Sequence, residues 1–169
     1  NLVEAGARKE DFARFAANAL KDPCLAANPR TANAEQIVGV YLHAFGEVHT
    51  QKIMQYCFAR SKAVYLPMIC SMNQRLVWVR ISQHQYRSRR FARHPLGMKE
   101  PVQARGLHVS KLDLLIMPLL ACDIYGTRIG MGGGFYDKTL ASAPGKPVRL
   151  GLAHDFQCMP QALPREAWD

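Results

Sequence analysis

The sequence contains no apolar run long enough to cross a membrane, and Asp113 borders the longest that it has. No secretory leader, internal repeat or low-complexity linker is visible, so one domain over residues 1–169 is expected, with no membrane partner. Cysteine is sparse. Cys24, Cys57, Cys70, Cys122 and Cys158 are odd in number, widely spaced and never arranged as C-x-x-C. That argues against a disulfide framework or a thiolate zinc site, and for buried, reduced thiols in a cytoplasmic protein. The six histidines form no His-x3-His or Glu-x-x-His pattern, so zinc catalysis is not expected.

Acidic residues are also in deficit, 13 against 22 lysines and arginines, for a formal charge of +9. Much of the excess lies between Arg80 and Arg105, notably at Arg87, Arg89, Arg90 and Arg93. Such a run can bind nucleic acid, attract a polyanionic small molecule, or be a solvated loop. It lacks an aromatic ladder or a recognisable nucleic-acid module, which ranks RNA binding last.

What is present alternates between helix and strand. Lys9–Lys21 places Phe12, Phe15, Ala16, Ala19 and Leu20 on one helical face before Pro23. Ile37–Ala44 reads as a buried strand, and Thr50 as the cap of a helix reaching Arg60, with Ile53, Met54, Cys57 and Phe58 inward. Ala63–Leu66 reads as a strand stopped by Pro67, and Leu76–Ile81 as a strand with one wetter face. Residues 87–105, with Pro95, Gly97 and Pro101, suggest a long irregular loop. Leu114–Met117 is expected as a central strand, 123–127 as a turn, Tyr136–Ser142 as a helix and Val148–Ala153 as a further strand. This order predicts an α/β fold, a three-layer α/β/α sandwich around a largely parallel sheet.

The densest signal is Arg128-Ile129-Gly130-Met131-Gly132-Gly133-Gly134-Phe135-Tyr136-Asp137. Glycines packed this closely admit backbone conformations closed to other residues and let a ligand reach the main-chain N–H groups. A loop of this kind between a strand and a helix is a phosphate seat, and an enzyme handling a nucleotide or a phosphorylated intermediate follows. Neither standard motif applies. Lys138-Thr139 comes too late for a P-loop, and the third glycine of G-x-G-x-x-G would fall on Phe135. A surface turn without a ligand is the plain alternative.

From Leu112-Asp113 through Pro118, Asp123, Gly126, Arg128, Gly130, Gly132 and Gly134 to Phe135-Tyr136-Asp137, the chain resembles the 5-formyltetrahydrofolate cyclo-ligase family (methenyltetrahydrofolate synthetases). Residues 38–42, 46–50, 62–67, Glu100-Pro101, 151–157 and 163–169 are similar to further family segments in the same order. The resemblance also implies a basic first helix preceding Asn1 and a short tail beyond Asp169, so the chain is expected to be trimmed at both ends. Met131 and Gly133 stand where some relatives carry basic residues, which leaves the backbone rather than side chains to cradle phosphate at those positions.

The resemblance implies that 5-formyltetrahydrofolate and ATP, with Mg2+, give 5,10-methenyltetrahydrofolate, ADP and phosphate through a phosphorylated formyl intermediate. Arg128 and Tyr136 would be catalytic. Residues 128–136 would bind ATP, including Ile129, Met131 and Phe135. Asp137 and Asp169 would hold the metal, although a carboxylate in a helix's first turn is favourable without one. Leu42, Glu47, Met131, Gly132, Gly133, Gly134, Phe135 and Trp168 would contact the folate, Glu47 by accepting from the pterin's aminopyrimidine edge. The basic run around Arg87–Arg93 would attract the glutamate tail, polyglutamylated or not. A cytoplasmic monomer without nucleic acid completes the expectation. The alternatives are an α/β enzyme binding a sugar phosphate or coenzyme A at the loop, and a basic RNA-binding module.

Overall fold

The computed structural model describes residues 36–102 and 105–165. The helix expected over Lys9–Lys21, and Trp168 and Asp169, lie outside the described residues. Five strands form the main sheet: β1 (Ile37–Gly39), β2 (Ala63–Cys70), β3 (Arg75–Ile81), β6 (Leu114–Pro118) and β9 (Val148–Leu152). Their spatial order is β3-β2-β1-β6-β9. The pairings of β1 with β2, β1 with β6 and β6 with β9 are parallel, while β2 with β3 is antiparallel. The expected largely parallel α/β sheet is therefore present. No described helix is long and apolar enough to cross a membrane.

Side chains alternate across each strand and so build two apolar faces. On one, Ala63, Tyr65, Leu76, Trp78, Leu115 and Met117 form a core with Val109, Leu112, Leu140 and Ala143. Leu140 belongs to α3 (Phe135–Leu140), which is tied to β3 by Thr139. The Thr139 hydroxyl donates to Phe135 O at 2.6 Å and accepts from Leu76 N at 2.8 Å. The alternate residues Val64, Leu66, Val79, Ile81, Leu114 and Ile116 are buried on the other face. α1 (Gln51–Ala59) packs along β2 and buries Ile53, Met54 and Cys57. Gly39 sits where a Cβ would come within 2.7 Å of Leu112 and 3.1 Å of Trp78, so the core closes directly over its backbone.

Several local expectations are corrected. β2 does not stop at Pro67 but runs on to Cys70. Pro67 faces Trp78 in the register, and the N–H and C=O of Trp78 point the other way, exchanging bonds with Leu107 at 2.9 and 2.7 Å. Pro67 is thus in a non-hydrogen-bonded pair with β3, so that ladder does not need its N–H, and β1 pairs no further along β2 than Tyr65. β1 is shorter than expected: Val40 N still reaches Tyr65 O at 2.9 Å, then the chain leaves the sheet. β3 is apolar on both faces, with Leu76, Trp78, Val79 and Ile81 all buried. Thr50 occupies the helix N-cap position without capping, because its hydroxyl donates instead to Tyr41 O at 2.7 Å.

Residues 87–102 are not irregular. α2 (Gln83–Arg87) starts in a capping box of Ser82 and Gln85 and is followed by a hairpin of β4 (Phe91–Arg93) and β5 (Lys99–Pro101). Its turn needs Gly97 at φ 93°. Glu100 fastens the hairpin by accepting from Ile69 N at 2.8 Å, on the edge of β2 that β1 leaves open. A small three-stranded sheet, β10 (Cys158–Met159), β7 (Ala121–Asp123) and β8 (Arg128–Ile129), completes the described structure. Only Cys57 of the described cysteines is buried; Cys70, at the end of β2, and Cys122 are partly exposed, and Cys158 is exposed.

Candidate functional site

From β1 the chain proceeds outward through β2 to β3, and from β6 outward to β9. The reversal lies between β1 and β6, and ligands of open α/β sheets collect outside the carboxyl ends of strands at such a point. The carboxyl end of β1 leads into residues 40–50, which carry Glu47. The carboxyl end of β6 leads through Pro118 into β7, β8 and the glycine loop.

Glu47 is held by a tight turn. Its N–H donates to Ala44 O at 2.9 Å, and its carboxylate accepts from Ala44 N at 2.9 Å. The two central residues, Phe45 and Gly46, have φ of 50° and 83°. A non-glycine residue in that region is strained, and Phe45 holds it while 64% exposed. Burial pushes the Glu47 carboxyl up from its ordinary value, with the Ala44 hydrogen bond acting against it. Tyr41 lies beneath, its hydroxyl donating to Val48 O at 2.8 Å. Burial, then the Glu47 charge, raises the Tyr41 phenol.

The glycine loop is anchored at both ends. On the β8 side, the Arg128 guanidinium donates to Pro118 O at 3.3 Å and pairs with Asp137 at 2.7 Å. It also lies 5.5 Å from the centre of the Tyr136 ring. Gly132 and Gly134 adopt φ of 84° and 63°, and Gly134 caps α3. At Gly130 a Cβ would fall 2.7 Å from the Arg128 guanidinium, and at Gly133 2.7 Å from the Phe135 ring. Met131, at the tip, is 62% exposed. The backbone from 130 to 134 is therefore an open cradle beside a cation. α3 has six residues, so the loop's own N–H groups matter more here than a helix dipole.

Tyr136 joins the two halves. Burial, and secondarily the Glu47 charge, hold its phenol well above the ordinary value, with Arg128 pulling it down and Tyr41 adding a smaller rise. At neutral pH the group is a protonated hydrogen-bond donor. Its ring lies 6.5 Å from that of Trp78, whose indole N–H is buried without a partner among the described residues.

A cavity of about 490 Å3 opens beside the Glu47 turn, lined by Leu42, His43, Gln55, Arg87, Arg89 and Lys99 among others. The glycine-loop residues, Met131 included, are not among its lining, so Leu42 and Met131 belong to different parts of the site. A second cavity, of about 400 Å3, lies at the amino end of β2, away from the strands' carboxyl ends. Phe45, His43, Gln55 and Lys99 carried no signal in sequence spacing. The His43 ring stacks on His49 with centroids 4.0 Å apart, and its Nδ1 is buried without a partner among the described residues. Burial lowers the His43 imidazole from its ordinary value, helped by His49 and Lys99. Among the described residues no three His, Cys, Asp or Glu side chains gather as a metal site. Asp137 offers one carboxylate, 45% exposed and engaged with Arg128, which is itself 13% exposed.

Residues 10–169 match the 5-formyltetrahydrofolate cyclo-ligase family. The chain is 38% identical over 136 residues to the 5-formyltetrahydrofolate cyclo-ligase of Escherichia coli K12, covering 78% of this chain and 72% of that protein. It is 35% identical over 143 residues to the Haemophilus influenzae enzyme of the same name, with coverages of 78% and 70%. In fold it is similar to the solution structure of Aquifex aeolicus 5,10-methenyltetrahydrofolate synthetase, with a TM-score of 0.64 and 24% identity over 97% of this chain and 78% of that one. With the site's place at the sheet's switch point, these likenesses establish that the chain belongs to the 5-formyltetrahydrofolate cyclo-ligase family of enzymes.

Proposed function

We propose that this chain, acting as one domain, converts 5-formyltetrahydrofolate and ATP to 5,10-methenyltetrahydrofolate, ADP and phosphate, with Mg2+. The observation that supports the reading is that Arg128, 5.5 Å from the Tyr136 ring and paired with Asp137, follows β6, while Glu47 follows β1, the parallel neighbour of β6. A folate and a phosphate donor must meet at one place, and this is where the two loops meet.

An amide-like formyl oxygen is a poor leaving group. Transfer of the γ-phosphoryl to that oxygen makes it a good one, N10 then attacks the formyl carbon, and phosphate departs as the ring closes. Such a transfer asks the protein for positioning and charge stabilisation. Backbone N–H groups of residues 130–134 cradle phosphate oxygens, and Arg128 faces the transferring group. Tyr136, kept protonated, donates a hydrogen bond and cannot serve as a base at neutral pH. Ile129 and Phe135 flank the cradle. Glu47 accepts from the pterin, with Leu42 beside it, while Arg87, Arg89 and Lys99 give the folate's glutamate tail a cationic cavity.

The donor set suits a metal that arrives with the nucleotide. Mg2+ keeps much of its water and is commonly held by one or two carboxylates plus phosphate oxygens, and Asp137 supplies one exposed carboxylate at the end of the cradle. When bound, the ion neutralises charge between phosphate oxygens. Protein carrying the complete chain, mixed with 5-formyltetrahydrofolate, ATP and Mg2+, should raise absorbance in the methenyl-folate band. That rise should require every component, and well-folded protein giving none would overturn the proposal.

A further inference from the structure

Cys122 and Cys158 are register partners on the adjacent parallel strands β7 and β10, with their sulfurs 3.6 Å apart. Neighbouring strands are about 4.8 Å apart, inside the Cα separation that a disulfide spans. Neither thiol has a role in the proposed reaction. Cys158 is exposed and Cys122 partly so, leaving an approach for a small reagent. We propose that Cys122 and Cys158 are a reversible oxidation site, closed to a disulfide by low-molecular-weight disulfides, that clamps the C-terminal segment onto the hairpin leading into the glycine loop.

The surroundings show what the bond would clamp. In the β7–β8 ladder, Cys122 faces Arg128. Residues 157–165 already wrap this hairpin by hydrogen bonds. Gln157 donates to Leu119 O at 2.8 Å, Leu163 N to Asp123 at 2.9 Å, and Arg165 to the Thr127 hydroxyl at 2.7 Å. A disulfide between residues 36 apart would enclose the glycine loop, α3 and β9 within one covalent ring. Closing such a loop restricts the unfolded chain and stabilises the fold.

The exchange balances in two steps. The Cys158 thiolate attacks a small disulfide R–S–S–R, forming a mixed disulfide and releasing one R–S⁻. The Cys122 thiolate then attacks the Cys158 sulfur, forming the Cys122–Cys158 bond and releasing the second R–S⁻. The two thiol protons pass to the released thiolates, so two protein thiols are oxidised and one small disulfide is reduced. Burial, then the neighbouring Cys158 sulfur, hold the Cys122 thiol above its ordinary value, consistent with Cys122 acting second.

The test uses the complete chain with oxidised glutathione, alkylation of remaining thiols, tryptic digestion without reductant, and mass spectrometry. The expected product is a peptide pair joined through Cys122 and Cys158 and separated by dithiothreitol. The oxidised protein should melt several degrees above the reduced one. That difference should vanish in Cys158→Ser and in Cys122→Ser and persist in Cys70→Ser. Glutathione retained as a mixed disulfide on Cys158, any other pairing, or a joined protein whose melting point is not raised would each overturn the proposal.

Discussion

Arg128→Lys separates what this side chain does for the fold from what it does for the chemistry. In the folded protein the guanidinium holds Asp137 at 2.7 Å and Pro118 O at 3.3 Å, beside the Tyr136 ring. Asp137 is 45% exposed, so solvent screens the ion pair, and pairs of that kind contribute about 0.2–1 kcal/mol. The bond to Pro118 is long. Lysine keeps the charge, and the loss of the fork should cost about 1 kcal/mol in all, a fall in melting temperature of about 2–4 °C for a chain of this size. A preorganised donor aimed at charge that develops in the transition state contributes more, and losing one lowers kcat by about 10²–10³. The variant should therefore melt within a few degrees of the parent while forming methenyl-folate at least about 10²-fold more slowly with saturating folate, ATP and Mg2+. A kcat within about threefold of the parent, at unchanged melting temperature, would reduce Arg128 to a tie between β8 and α3.

Glu47→Gln keeps an acceptor for Ala44 N–H but removes the charge, so the KM for the folate should rise about 10–100-fold with little change for ATP. Because burial raises the folded-state carboxyl above its unfolded value, the charged form costs stability once pH rises through that raised value. Melting curves across pH should accordingly show the glutamine variant gaining on the parent as pH increases. Asp137→Asn should need more Mg2+ for half-maximal rate while binding folate normally, and a Mg2+ titration that superimposes on the parent's would remove Asp137 from the metal. Gly132→Ala meets no steric obstacle yet forces alanine to φ 84°, which should cost about 1–2 kcal/mol and weaken ATP binding, read by thermal melting and nucleotide titration. Burial opposes ionisation of Asp123, but N–H donors from Leu163, Thr127 and Tyr125 outweigh it and hold the carboxyl at about 2. The stability it lends is complete above the ordinary carboxylate range and disappears as pH falls from there toward about 2. Limited proteolysis across that window should release the C-terminal segment in the parent earlier than global unfolding, and Asp123→Asn should release it already at neutral pH.

The parts of the molecule legible in the chain were those governed by neighbours in sequence. Strand β6, the turn at Asp123 and the glycine loop follow from apolar runs, a side chain bonding its own backbone two and four residues on, and glycines at positive φ. Each is settled within a few residues, so periodicity and turn chemistry suffice, and the family motif lies across the same stretch. The tertiary structure decided whatever depended on a remote partner. Pro67 passes through β2 because Trp78 turns its hydrogen bonds to Leu107, away from β2, and because β1 pairs no further along β2 than Tyr65. The hairpin at 91–101 is secured by a carboxylate reaching Ile69, 31 residues away. Glu47 and Tyr136, 89 positions apart by their numbers, come to the same end of the sheet because β1 and β6 are parallel neighbours. Cys122 and Cys158 meet for a similar reason, through the register of two short strands. Local sequence sets which backbone shapes are accessible to each segment; which of them is occupied, and what faces what across the sheet, is set by pairing and packing that no window of sequence contains.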